Sequence, residues 1–446
     1  MKKILQKIEH QLTDINFKEI IKGAGISFWI RIAGLILGYL FTLISARCFG
    51  AEAIGNFALA FIIVSFISSV SMLGMDTAVT ILVAKNYFVN GVESINGLLR
   101  KVFTFALVSG VISNLILFIT ADFISTGIFH NSGLRQYIEI MSFAIIPLSL
   151  RRITFDFYRG LKKIKEYSLF SSFLVYLVGM VILSALSLMF NSNFIIPISY
   201  LSAAVIAFII SFISLIKYHS NVLIGRSVIK FKEIFNFSIP ILFSDSLKYV
   251  TNSGGIFFVG YFLAGAEAGI YNIALKLATV TTLIVESTAS ITMPKFGEDY
   301  SKKELSSIQK SLTNSGKIIF WSAVPILFIV LAASKLIFAF LGSEFEKGFL
   351  PLIILSAAQF IFLLSGTSDY ILQMIDKQKR YLQITFLSTF LFVLFNLIFV
   401  PAYGIEGAGL ALLAGNTMQT CMLFFYLYRF RKLNALYIPG FLKRIT

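Results

Sequence analysis

Charged residues are scarce in this chain of 446 residues, at 13% of the total, while hydrophobic residues reach 57%. This balance excludes an ordinary soluble domain, in which charged residues make up about a quarter of the chain. Cysteine and histidine are also rare, with two and three copies. Because Cys48 and Cys421 lie far apart in the sequence, the pattern indicates neither a disulfide nor a metal site.

Motifs for nucleotide hydrolysis and covalent catalysis are missing. The sequence has no glycine-rich loop followed by Lys and Ser or Thr, and no nucleophile and base in a known hydrolase arrangement. The segments between apolar stretches are at most about 25 residues long, too short for a separate catalytic domain of about 50 residues. We therefore expect a protein that is not an enzyme and needs no cofactor beyond H⁺ or Na⁺ as a coupling ion.

Long apolar stretches are what the sequence has instead. A helix needs about 20 apolar residues to cross the hydrocarbon core, where helices satisfy their own backbone. Such stretches recur and predict an all-α polytopic membrane protein with about twelve transmembrane helices. The predicted spans are residues 24–45, 55–84, 98–120, 136–158, 168–190, 194–217, 237–262, 269–293, 315–341, 349–374, 381–401 and 405–429.

The distribution of basic residues predicts the orientation. An even number of spans places both termini on one side, and Lys and Arg are retained in cytoplasmic loops. Most of the 38 basic residues fall on one side; the exceptions outside are Arg47, Arg135, Lys335 and Lys347. The net charge of +16 is then explained by topology and anionic lipid headgroups, so no nucleic acid partner is expected. We predict a multi-pass protein of the cell inner membrane with both termini cytoplasmic.

Two short segments of similar sequence suggest an internal repeat. Residues 49–53 (FGAEA) follow the first span and residues 264–268 (AGAEA) follow the seventh; a chance match is the alternative. Parallel repeats imply two pseudo-symmetric six-helix bundles around a central cavity. We predict a cytoplasmic N-terminal segment at 1–22, bundles at 23–220 and 221–430, and a cytoplasmic tail at 431–446.

Several short motifs in a fixed order carry a family resemblance. They are Arg31 with Gly34 and Gly38, and residues 46–50 (ARCFG), 74–76 (GMD), 269–276 (GIYNIALK) and 400–409 (VPAYGIEGAG). Together they resemble the Wzx-type flippases of O-antigen and capsular polysaccharide repeat units, in the group that includes MATE multidrug exporters and the lipid II flippase. Gly34 and Gly38 fit either a bend or a close packing face.

The resemblance covers the whole chain and implies a function. The cargo would be an undecaprenyl-pyrophosphate-linked oligosaccharide, moved by alternating access from the cytoplasmic to the outer leaflet. The implied partners are this cargo, membrane lipids, and the polymerase and chain-length regulator of the same pathway.

Basic residues within the spans are candidate substrate contacts, because a charge at the bilayer centre costs at least about 2.5 kcal/mol and needs a cavity or a partner. Arg31, Lys248 and Lys276 lie at different depths, and we predict that they face one cavity along which the pyrophosphate passes. The arginine could bind it through two hydrogen bonds, the lysines as point charges. Arg151 and Arg152 are predicted to meet the headgroup at the cytoplasmic entrance.

Carboxylates in the spans are candidates for coupling and gating. Asp245 and Glu286 are predicted to take up the coupling ion. The alternative for Asp245 is neutralisation of Lys248, three residues later on the same helical face. Glu286 needs a partner from another span or a raised pKa. Three further carboxylates lie near cytoplasmic helix ends: Asp76, Asp156 and Asp369. Cations lie close to them in the sequence, namely Arg151, Arg152 and Lys377. We predict that these carboxylates form either structural ion pairs at the inner rim or a gate.

Three other functions stay open. A multidrug exporter of the same group would favour an acidic cavity, whereas cations within the spans favour an anionic cargo. A membrane enzyme such as an O-antigen polymerase would need a large outer loop or a cluster of catalytic groups. A scaffold subunit would not need charged residues within the spans.

Overall fold

The described part of the chain is almost entirely helical. The computed structural model describes residues 15–224, 229–301, 305–375, 377–434 and 436–437, and these contain no β-strand. Residues 1–14 of the predicted N-terminal segment and most of the predicted tail lie outside the described residues. The α-helices are α1 (Ile15–Ser71), α2 (Met75–Asn90), α3 (Leu98–Asp122), α4 (Leu134–Ser142), α5 (Ile145–Gly160), α6 (Ile164–Ser168), α7 (Leu174–Met189), α8 (Ile195–His219), α9 (Phe231–Phe262), α10 (Gly265–Thr279), α11 (Thr282–Ser301), α12 (Leu305–Leu341), α13 (Phe349–Leu364), α14 (Ser368–Met374) and α15 (Gln378–Arg431).

Two of these helices contain two membrane passes each. The backbone breaks α1 at Gly50, where φ is 81°, and α15 at Gly404, where φ is 64°. Glycine adopts positive φ at little cost because it has no Cβ. With these breaks, the helices of the described residues fall into twelve successive passes whose ranges match the predicted spans. The all-α fold and the number of spans are confirmed.

Hydropathy alone identifies fewer passes. Among the described residues, seven helices are long and apolar enough to cross a membrane, and the bent pair Gly265–Thr279 and Thr282–Ala289 makes an eighth. Two of the seven helices, α1 and α15, each contain two passes. The pass formed by α4 and α5 is interrupted and α9 is less apolar, so hydropathy does not identify these two passes. On α3, Leu115, Ile116 and Ile119 are exposed, as expected for side chains in lipid. The chain is therefore a multi-pass membrane protein.

The helices form two compact units, each built from discontinuous segments. The first contains the described residues up to Ser45, Ile63–Ser125 and Ser132–Phe243; the second contains Ala46–Ile62, Thr126–Asn131 and the described residues from Ser244 onward. The second unit thus includes the turn that follows the first pass. The predicted bundle boundaries and the cytoplasmic orientation of the termini stay predictions.

Gly34 and Gly38 form a close packing face in the first unit. A Cβ atom on Gly34 would lie 2.9 Å from the backbone nitrogen of Phe173, and one on Gly38 would lie 3.1 Å from the ring of Tyr176. Within α1, non-helical backbone dihedrals occur at Gly50, so the helix continues through Gly34 and Gly38. The packing interpretation of these two glycines is confirmed.

In the second unit, one residue of each similar segment packs against a glycine that lies just after the other segment. A Cβ atom on Gly55 would lie 1.6 Å from the carbonyl oxygen of Gly265, and one on Gly269 would lie 2.2 Å from that of Ala51. Beside them, Asn131 Nδ2 donates a hydrogen bond to Asn56 Oδ1 at 2.8 Å. The start of α10 and the part of α1 after Gly50 therefore meet backbone to backbone.

We expect Gly55→Ala to destabilise the protein, because the added methyl group has no room beside the Gly265 carbonyl. Overpacking of this kind costs about 1–3 kcal/mol. The measurement is thermal unfolding of the purified protein in detergent. Gly110→Ala is the matched control, since its Cβ would meet Ile146 at an ordinary 3.4 Å. Equal melting temperatures for the two variants would contradict the prediction.

Candidate functional site

A cavity of about 490 Å³ lies within the second unit. Its wall is formed by α9, α10, α11, α13, α14, α15 and the part of α1 after Gly50. The volume falls in the range of small-molecule sites, about 300–1,000 Å³. Its described polar lining includes Lys248, Asn252, Asn272, Lys276, Glu286, Gln359, Asp369, Asn416 and Gln419.

Two of the predicted cations line this cavity. Lys248 Nζ lies 5.5 Å from the centre of the Tyr381 ring, in a cation–π contact, and Lys248 also attracts Asp369 electrostatically. Lys276 lies one helical turn after Asn272 on α10, so both side chains reach the cavity from one helix face. The structure thus places Lys248 and Lys276 on the same cavity.

A break between α10 and α11 separates Lys276 from Glu286. The two helices meet at an angle of 44°, and Thr281 within the break is fully buried. Broken helices occur at membrane depth where the backbone is covered by protein or lines a cavity. Beyond the break, Glu286 lines the same cavity and interacts electrostatically with Tyr370 of α14. Tyr370, from another pass, therefore lies near Glu286, and the role of Glu286 in ion coupling stays a prediction.

A second break brings Asp369 to the cavity. Helix α13 ends at Leu364 and α14 begins at Ser368, with Gly366 at a φ of 58° between them. Gln419 Nε2 donates a hydrogen bond of 3.4 Å to Asp369 Oδ2. Asp369 lines the cavity and interacts electrostatically with Lys248. Its predicted pairing or gating role at the inner rim stays a prediction.

Asp245 lies close to the cavity without forming its wall. It is absent from the described residues that line the cavity, although it is three residues before Lys248 on α9. Asp245 interacts electrostatically with Tyr381, the ring that Lys248 also contacts. Its role in ion coupling stays a prediction.

Side-chain amides form a part of the site that a search for charges misses. Asn272, Gln359 and Asn416 are each 6% exposed and line the cavity. Asn416 Nδ2 donates a hydrogen bond of 3.1 Å to the carbonyl oxygen of Ala358. Polar side chains are expensive inside a membrane, so their presence within apolar spans is a signal that could identify them from sequence.

Arg31 lies in the first unit. Its Nε donates a hydrogen bond of 3.2 Å to Ser168 Oγ, and its guanidinium carbon lies 5.1 Å from the centre of the Tyr167 ring. Both partners belong to α6, so Arg31 connects the first and fifth passes. The predicted substrate contact of Arg31 stays a prediction.

Arg151, also in the first unit, binds the backbone of a π-helical turn. The turn spans Leu169–Phe173, and Arg151 Nη1 donates to the carbonyl oxygens of Phe170 at 2.8 Å and Ser171 at 3.2 Å. A π turn departs from the regular α-helical pairing, and the buried guanidinium contacts the carbonyls there. These contacts give Arg151 a structural role, and its predicted meeting with the headgroup stays untested.

Arg152 forms an ion pair with Asp76 that joins α5 to α2. Arg152 Nε lies 2.6 Å from Asp76 Oδ2; the carboxylate side chain is 3% exposed and the guanidinium side chain 38%. Asp156 is buried as well, and its Oδ1 lies 3.7 Å from Arg159 Nη1. Each carboxylate thus has an arginine partner, which agrees with structural ion pairs. Gating by Asp76 and Asp156 stays a prediction.

Comparison with known proteins identifies the family. A family model described as "Polysaccharide biosynthesis protein" matches residues 44–349, more than half of the chain. The chain belongs to the polysaccharide biosynthesis protein family. The matched range includes Lys248, Lys276 and Glu286 of the cavity. The resemblance to polysaccharide exporters that the sequence motifs indicate is thereby confirmed.

One named relative resembles part of this chain. The "Probable low-salt glycan biosynthesis flippase Agl15" of Haloferax volcanii is 26% identical over 210 residues, 46% of this chain and 44% of the relative. The match therefore spans less than half of that protein.

Solved transporter structures share the fold over almost the whole chain. A structure of the lipid II flippase MurJ in an inward closed conformation matches with a TM-score of 0.70 at 17% identity, over 91% of this chain and 87% of that one. A multidrug resistance MATE family transporter in an inward-facing conformation matches with a TM-score of 0.70 at 14% identity, over 92% and 98%. At these identities the likeness shows the fold alone.

We expect Arg152→Ala to lower the melting temperature, because it leaves the buried Asp76 carboxylate without its cation. Loss of one partner of a fully buried pair costs about 3–5 kcal/mol; exposure of Arg152 reduces this to about 1–2 kcal/mol. The double variant Asp76→Asn with Arg152→Gln removes both charges and should recover part of the loss. Arg100→Ala, an exposed arginine on α3, is the control. A double variant less stable than Arg152→Ala would argue against the pair.

Proposed function

We propose that this chain is a flippase. It moves an undecaprenyl-pyrophosphate-linked oligosaccharide, an O-antigen or capsule repeat unit, from the cytoplasmic to the outer leaflet of the inner membrane by alternating access. Family membership supports a role in polysaccharide biosynthesis. A relative named as a glycan biosynthesis flippase and a fold shared with the lipid II flippase support transport in preference to catalysis.

The observation that carries the proposal is the chemistry of the second unit's cavity. Lysine ammonium groups and side-chain amides line one space within the membrane-spanning helices. A pyrophosphate accepts hydrogen bonds and is anionic, so it is stabilised by ammonium groups in a low-dielectric site. Sugars both donate and accept hydrogen bonds, as amides do. A glycosyl pyrophosphate combines these two chemistries, and the wall offers partners for both.

The candidate cations and the two coupling carboxylates each have a role in this proposal. Lys276 and Lys248 hold the pyrophosphate in the second unit, and Arg31 offers a cation in the first. Asp245 and Glu286 take up the coupling H⁺ or Na⁺. Arg151 and Arg152 meet the headgroup at the cytoplasmic entrance in addition to their structural contacts, and the polymerase and chain-length regulator of the pathway receive the product.

A multidrug exporter is the second candidate, because a MATE family transporter shares the fold. The two carboxylates of the cavity, Glu286 and Asp369, would suit an organic cation. The lysines on the same wall oppose it, since each would repel such a cargo in a low-dielectric site. Family membership also favours the glycan.

We expect loss of this gene to leave lipid-linked repeat units on the cytoplasmic face of the membrane. Returning wild type should restore export, while Lys276→Ala and Arg31→Ala should each reduce it about tenfold or more. The reason is loss of one charge-assisted contact to phosphate, about 1.5–3 kcal/mol. The measurement is the fraction of lipid-linked sugar accessible from outside, at matched protein levels.

Lys335→Ala is the control for that experiment. Lys335 is an exposed lysine of the second unit that contacts Phe349 and does not line the cavity, so export should match wild type. Full export by Lys276→Ala and Arg31→Ala would remove the cationic path. If no lipid-linked sugar accumulates in the deletion strain, the cargo is wrong and drug export becomes the leading candidate.

A further inference from the structure

Four oxygen atoms of the described side chains that line the cavity are buried without a hydrogen-bond partner. Two of them, the hydroxyl oxygens of Tyr381 and Thr385, can also donate, whereas the other two can only accept. These two acceptors are Gln359 Oε1 on α13 and Asp369 Oδ1 on α14, and neither accepts a hydrogen bond from any residue that the structure describes. Both side chains line the cavity. A buried polar atom without a partner is strongly unfavourable inside a protein. These two oxygens therefore point to a ligand that supplies donors.

Neighbouring amides hold the Asp369 side chain and the backbone next to Gln359. Gln419 Nε2 donates to the other carboxylate oxygen of Asp369 at 3.4 Å. Asn416 Nδ2 donates to the carbonyl oxygen of Ala358, the residue before Gln359, and so holds this turn of α13 against α15. The wall thus presents acceptors whose supporting residues are already hydrogen-bonded, as a preorganised binding site requires.

The charges around these oxygens select the kind of donor. A phosphate oxygen is itself an acceptor and cannot satisfy them. A free cation is disfavoured because Lys248 already places a positive charge beside Asp369 and would repel a second one. A neutral hydroxyl group donates a hydrogen bond without adding charge. Sugar hydroxyls are the donors that the cavity accommodates with the least electrostatic cost.

We infer that Gln359 and Asp369 form a carbohydrate subsite that reads the hydroxyl groups of the sugar next to the pyrophosphate. Lys276, on the same cavity, holds the phosphate end. This inference rests on the proposed flippase function and extends it from a common anionic headgroup to selection among sugars. A site that hydrogen-bonds a substrate hydroxyl discriminates against analogues that lack it, because its polar groups are then left unpaired.

The test uses the purified full chain in proteoliposomes. The probes are undecaprenyl-pyrophosphoryl glucose and its monodeoxy analogues, each lacking one hydroxyl. Transport is measured as the rate at which a membrane-impermeant pyrophosphatase releases sugar phosphate from cargo that has crossed. We expect wild type to move at least one deoxy analogue about three- to tenfold more slowly than the glucose cargo, the effect of one neutral hydrogen bond.

Gln359→Leu should slow the glucose cargo by a similar factor and bring the rates for glucose and that deoxy analogue to within about twofold of each other. Gln359→Met, which has a side chain of similar length and no acceptor oxygen, gives the same test if leucine lowers the protein yield. Lys276→Ala should slow every cargo by the same factor, because all share the phosphate. Gln383→Leu, an exposed glutamine that accepts from Arg380 on α15, should behave as wild type.

The subsite is wrong if the Gln359 variants slow all cargoes equally or leave every rate unchanged. It is also wrong if wild type moves every analogue at the rate of the glucose cargo. A wild-type protein that moves no cargo faster than protein-free vesicles overturns the flippase proposal itself. Failure of sugar selection and failure of transport therefore give different results.

Discussion

Hydrocarbon offers no hydrogen bonds to the peptide backbone, and this constraint governs where the helices of the protein can break. Three of the breaks within the passes lie beside polar groups: between α10 and α11 at the cavity, between α13 and α14 beside Asp369, and at the π turn that Arg151 contacts. The two glycine breaks at Gly50 and Gly404 instead separate successive passes. At these three places irregular backbone and polar side chains coincide, and at the π turn Arg151 donates directly to the backbone carbonyls.

The cavity wall carries charges of both signs, whereas the sequence suggests a purely cationic path. In the second unit, Lys248 and Lys276 share the cavity with Glu286 and Asp369. Such a wall is close to neutral and offers both donors and acceptors. It suits a ligand that is polar along its whole length, with a charged part and a neutral part, better than a simple anion. Shape and hydrogen bonding then contribute to recognition alongside the long-range field.

The spans could be predicted from sequence because hydrocarbon imposes a length and an apolar composition on each helix. Gly34 and Gly38 could be recognised as a packing face for a similar reason, since small residues allow close helix contact. The partner of Asp369 could not be predicted, because it depends on how α9 and α14 pack. Gln359 was missed for another reason: an uncharged amide stands out less from an apolar span than a lysine does, although it also needs hydrogen-bond partners when buried.

The backbone contact of Gly55 with Gly265, and of Gly269 with Ala51, also bears on the internal repeat. Two segments that face each other without intervening side chains must each present a small, flat surface. Small residues at positions 51 and 265, one in each similar segment, therefore have a steric reason besides gene duplication, because each faces a glycine of the other helix. A bulky residue on either side meets the same obstacle, so each segment restricts which mutations the other can accept, whatever cargo the protein carries.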